Sequence, residues 1–153
     1  MKSAVVVVVM ILAISVASFA LMIGFTDGVV SYALSVGTEL TPSTFAYVGF
    51  SFPLGAMIGG GMKLGDLYNF DFGKATNGQE IGNLNIGYGA VADAELDAFY
   101  GFYPAVFVGP AVILNANLPF ISSKILSYTA IGLGWPLQSS PGFSWTTGWF
   151  YVF

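Results

Sequence analysis

The sequence predicts an all-β protein: an antiparallel up-and-down membrane barrel of about eight strands behind an N-terminal apolar leader. Three observations predict it. From Tyr32 onward, apolar residues alternate with small or polar ones over most of the chain. Only 8% of the residues are charged, while 56% are apolar. The last residues, Trp149-Phe150-Tyr151-Val152-Phe153, read as a strand with aromatic side chains at alternate positions.

Residues 1–20 come first. Lys2 supplies a short positive region, Ala4 to Val16 an apolar core, and Ser18-Phe19-Ala20 small residues where a signal peptidase cuts. This is the pattern of a secretory signal peptide. The competing reading is a retained apolar helix, since the stretch from Ala4 to Gly24 is long enough to span about 30 Å of hydrocarbon. The barrel domain is then 21–153.

After Gly24 the period becomes two. Tyr32, Leu34, Val36 and Leu40 share one face; Ser31, Ala33, Ser35, Gly37 and Glu39 share the other. Ala46, Val48 and Phe50 oppose Tyr47, Gly49 and Ser51. Ile58, Met62 and Leu64 alternate with Gly59, Gly61, Lys63 and Gly65. The clearest run is 83–102, where Leu84, Ile86, Tyr88, Ala90, Ala92, Ala94 and Leu96 oppose Asn83, Asn85, Gly87, Gly89, Asp93, Glu95 and Asp97. Successive strand residues point to opposite faces, so each run is a strand with one greasy side. Residues 105–116 are apolar on both faces, and 124–134 are mixed on both. In the final strand Trp145, Thr147, Trp149, Tyr151 and Phe153 share one face.

Turn-forming residues divide these runs at 41–43, 53–55, 74–80, 115–119 and 136–142. The expected strands are 29–40, 44–53, 56–70, 81–91, 94–103, 105–115, 124–134 and 143–153, with 81–103 read as two strands joined near Ala92. The two longest loops, 74–80 and 136–142, then fall on the same side of the barrel.

Composition excludes several function classes. The cations are Lys2, Lys63, Lys74 and Lys124, and there is no Arg, which argues against neutralising nucleic-acid phosphates. Without Cys or His there is no disulfide framework, thiol nucleophile or His-based triad. With so little charge, against roughly 25% in ordinary soluble domains, either the surface is not in water or other subunits cover it.

A terminal Phe153, with Tyr151 and Trp149 at alternate positions behind a leader, resembles the small outer-membrane β-barrel proteins of bacteria. The resemblance is of class, and its specific part is the last nine or so residues. It implies that Trp149, Tyr151 and Phe153 are the assembly signal read by the barrel-assembly machinery, and that the chain sits in the outer membrane. Trp145, Trp149, Tyr151, Tyr100, Tyr103 and Trp135 lie near expected strand ends, where aromatic girdles meet headgroups.

One group of side chains has the composition of a metal site. Asp93, Glu95 and Asp97 alternate on one strand face, about 6–7 Å between neighbours. Three carboxylates with additional oxygens suit Ca²⁺; the plainer reading is a solvated turn, or lumen pairing with Lys63 or Lys124. No cofactor is expected. The expected function is a non-enzymatic structural envelope protein or narrow pore, with membrane lipid as its partner and self-association as a further one. The alternative is a secreted β-sandwich subunit of an extracellular filament or coat with a retained N-terminal apolar segment. A polytopic helical protein spanning near 4–24, 45–62, 98–116 and 118–135 is a third reading.

Overall fold

The computed structural model describes residues 20–51, 54–98, 103–119 and 123–153. Eight strands, β1 (Ala20–Asp27), β2 (Tyr32–Thr41), β3 (Thr44–Ser51), β4 (Gly55–Asp71), β5 (Asn83–Asp97), β6 (Tyr103–Leu118), β7 (Ser123–Pro136) and β8 (Gly142–Val152), form one closed barrel. Every strand pairs antiparallel with its sequence neighbour, and β8 closes onto β1. A single closed barrel replaces the two packed sheets of the sandwich alternative. It also replaces the helices of the third reading, because the described parts of 45–62, 98–116 and 118–135 lie mostly in β3, β4, β6 and β7.

The stagger of the sheet fixes the tilt of the strands. A row of hydrogen-bonded partners leaves β1 at Met22 and passes Gly37, Tyr47, Gly59, Asp93, Phe107, Gly134 and Gly142. Asp27 pairs with Thr147, so Gly142 projects to position 32 of the β1 line, ten residues beyond Met22. A stagger of this kind tilts the strands by roughly 35–45° to the barrel axis. An eight-stranded barrel is also just wide enough for side chains to fill.

Two strand assignments differ from the sequence expectation. β1 occupies Ala20–Asp27, where none was expected. Its inward residues are Met22, Gly24 and Thr26 and its outward ones Leu21, Ile23 and Phe25, so both faces run on from the apolar leader and show no contrast. The expected turn near Ala92 is absent: β5 is a single strand from Asn83 to Asp97, paired without a break to β6. One strand is gained and one is lost, so the total of eight stands. Residues 105–116 and 124–134 lie in regular strands, β6 and β7.

These shifts move the loops. The segments 28–31, 52–54, 98–102 and 137–141 join strands at one end, called the upper end here. The segments 42–43, 72–82 and 119–122 join them at the lower end, where β1 starts and β8 finishes. The two longest expected loops therefore lie at opposite ends. The longest connection, 72–82, is tightened by an antiparallel backbone pairing of Lys74 with Glu80 and a turn at Gly78, whose φ of 84 is one that L residues rarely adopt. Residues 1–19 of the expected leader, Pro53 of an expected turn and Tyr100 of the expected girdle lie outside the described residues.

Candidate functional site

The barrel presents two surfaces on which a function can rest, its outer wall and its interior. The outer wall follows from the period-two pattern. Outward positions carry Ile23 and Phe25 on β1, Tyr32, Leu34 and Val36 on β2, Phe50 on β3, Ile58 and Met62 on β4, Tyr88 on β5, Val106, Val108 and Val112 on β6, Ile131 and Leu133 on β7, and Trp145 and Trp149 on β8. All of these are exposed. Asp27, the last residue of β1, is the one charged side chain among the described outward strand positions. The belt is continuous around all eight strands. Over β3–β5 it holds a shallow depression of ≈ 360 Å³ whose lining includes Gly49, Phe50, Ala56, Ile58, Ala94 and Leu96.

The aromatic residues picked out at the C-terminus lie where alternation placed them. Trp149 and Phe153 are exposed, and Tyr151 packs edge-on against Phe153 with centroids 4.7 Å apart. The Phe153 N–H donates to the Leu21 carbonyl, so the terminus is held by β1. Tyr103 and Trp135 mark the upper rim and are exposed.

The interior is filled. Phe45, Tyr47, Tyr128 and Phe150 stack across it, with Phe45–Tyr128 centroids 5.5 Å apart and Tyr47–Phe150 5.4 Å. The two phenols share a buried hydrogen bond of 2.6 Å. Met22, Met57, Val91, Phe107, Ile113, Leu126 and Val152 complete the core. Inward glycines make room for the rings. A Cβ at Gly61 would stand 2.5 Å from the Phe45 ring, and one at Gly148 2.3 Å from the Tyr128 ring. The inner parity of 105–116 is apolar because Ala105, Phe107, Ala111 and Ile113 belong to this core.

Polar groups occupy the two ends. At the lower end Lys63 pairs with Asp66 at 2.8 Å and donates to Asn85 at 3.1 Å, while Lys124 pairs with Glu39. A void of ≈ 10 Å³ lies among Glu39, Ser43, Lys63 and Asn115. Asp66 lies within β4, beside a register shift that brings it over Lys63.

At the upper end the three acids of β5 face inward, yet they do not share one ligand. Glu95 is 3% exposed. Its carboxylate accepts from the backbone N–H groups of Val29, Val30 and Ser31 and from the Ser31 hydroxyl. The connection 28–31 thereby folds into the mouth of the barrel, and Val29 packs on the core. A Cβ on Gly28 would stand 2.1 Å from the Glu95 carboxylate, so only glycine lets the backbone come this close. Asp93 is buried and neither of its oxygens has a hydrogen-bond partner. Asp97 lies half-buried nearer the rim. Pairing of these acids with Lys63 or Lys124 does not occur, because both lysines are engaged at the other end. Among the described residues, no group of three or more acids is placed to hold a metal ion.

The sequence missed the role of the 28–31 connection. The available signal was Gly28 before a polar Ser31, a short connection with free N–H groups, but its acceptor lies more than sixty positions away on β5. Comparison with family models, curated proteins and solved structures gives no match.

Proposed function

We propose that this chain is a small outer-membrane β-barrel acting as a closed structural element of a bacterial cell envelope, without enzymatic activity. The apolar belt on all eight strands carries the reading. Soluble monomers rarely expose contiguous apolar patches beyond a few hundred Å², and this belt encircles the barrel. Lipid is the solvent that suits it: a spanning sheet must satisfy its backbone internally, and only closure removes the edges. Membrane lipid is then the principal partner.

The filled interior favours a structural role over a narrow pore. A stack of Phe45, Tyr47, Tyr128 and Phe150 blocks the axis, and the 28–31 connection caps the upper end. Trp149, Tyr151 and Phe153 serve as the signal for the barrel-assembly machinery. Loop length assigns no outer side, since the connection 72–82 lies at the same end as both strand termini, unlike the usual arrangement of short turns there.

Fractionation of envelopes tests the proposal. The protein is expected in the outer-membrane fraction, migrating faster on an unheated detergent gel than on a heated one. Recovery in the soluble fraction without detergent would refute it.

A further inference from the structure

The structural role leaves one buried carboxylate unexplained. Asp93 is 5% exposed and faces the lumen, and both of its carboxylate oxygens lack a hydrogen-bond partner. An unpaired buried carboxylate is among the costliest groups a fold can hold. Its surroundings can be named element by element. On β5, Glu95 follows two positions later on the same face. β3 brings the Tyr47 hydroxyl and β8 the Thr146 hydroxyl. β7 brings Tyr128, bonded to Tyr47. The cross-strand partners are Gly59 on β4 and Phe107 on β6, neither of them charged.

No lysine among the described residues reaches this level, because Lys63 and Lys124 pair with Asp66 and Glu39 at the lower end. The charge on Glu95 is answered by three backbone N–H groups and the Ser31 hydroxyl. The Thr146 hydroxyl gives its proton to the Asp27 carbonyl at 2.9 Å. Asp93 therefore stands beside a second carboxylate, that of Glu95, on the same strand face, with no lysine among the described residues to offset either.

We propose that Asp93 anchors a site for one monovalent cation, a proton or an alkali-metal ion, held between its carboxylate and the hydroxyl oxygens of Thr146 and Tyr47. The Glu95 carboxylate is spent on the 28–31 connection, so Asp93 offers one unanswered negative charge, which one monovalent ion balances. Hard oxygen donors suit an alkali ion, and a proton gives Asp93 a donor of its own. Occupancy couples to closure of the upper end. Without the positive charge, Asp93 repels Glu95, whose carboxylate holds the connection in the mouth.

The test is urea unfolding of the intact barrel in neutral detergent, at constant ionic strength. One series runs from about pH 5 to about pH 9 in N-methylglucamine chloride; the other adds lithium, sodium or potassium chloride at fixed alkaline pH. The wild-type midpoint is expected to rise as pH falls or, saturably, as alkali ion is added. Asp93→Asn removes the charge at constant shape, so its midpoint should lose that response and start at the stabilised level. Asp93→Ser serves if the amide variant does not fold. A response to acid alone identifies a proton, and a response to alkali ions alone identifies a metal ion; both support the proposal. Equal responses of wild type and variant in both series, or none in either, would overturn it. Failure of the membrane assignment would instead appear as solubility without detergent, a separate readout.

Discussion

Gly148 and Tyr128 show how single residues set this interior. The Tyr128 ring occupies the space a side chain at 148 would need, so Gly148→Val is expected to destabilise by about 1–3 kcal/mol through overpacking. Gly142 has nothing within 4 Å of an added Cβ, and Gly142→Ala should leave the urea midpoint unchanged. Glu95 is the second such residue. It accepts from three N–H groups of one connection, and Glu95→Gln replaces one accepting oxygen with a donor facing those donors. The expected cost is about 1–3 kcal/mol, read as a lower urea midpoint in micelles together with faster hydrogen exchange at Val29–Ser31. A variant with wild-type exchange there would remove Glu95 from its place as the latch.

At the scale of elements, the outward row of each strand makes a directional prediction. Val108 is outward and exposed near the middle of β6, and Val108→Lys should cost about 2–4 kcal/mol, the depth-dependent penalty of a mid-bilayer cation. Leu118→Lys, at the outward position nearest the lower end of the same strand, should cost far less. Equal costs would argue against a bilayer around β6. The same rows show what the sequence could disclose. β2, β3, β5 and β8 were legible because their two faces differ: Tyr32 against Ala33, Val48 against Gly49, Ala94 against Glu95, Trp149 against Gly148. β1 was hidden because Ile23 and Met22 are both apolar, one for the outer wall and one for the core. β6 looked irregular for the same reason, with Val106 outside and Phe107 inside. The end of β5 was read as a separate strand because alternation survives a tight turn, and only the unbroken register with β6 decides between the two. The Glu95 latch and the isolation of Asp93 were invisible, since both depend on partners brought together by closure of the barrel.

At the scale of the whole molecule, charge is arranged by position. The described lysines, Lys63, Lys74 and Lys124, all belong to the lower end, while Asp93, Glu95 and Asp97 face inward at the upper end. Between these ends the apolar and aromatic layer is continuous, from Met22 and Phe45 to Phe150 and Ile113. A barrel filled in this way should give no stepwise ion conductance in planar bilayers at low voltage. Discrete channel openings abolished by a bulky substitution at an inward glycine would contradict the structural role.

Tryptophan quenching in proteoliposomes tests the central claim most directly. Trp135, Trp145 and Trp149 are all outward and exposed. In a bilayer of brominated lipid their fluorescence should be strongly quenched, and aqueous iodide should have little effect. Efficient quenching by iodide with none by brominated lipid would place the belt in water and contradict the membrane barrel.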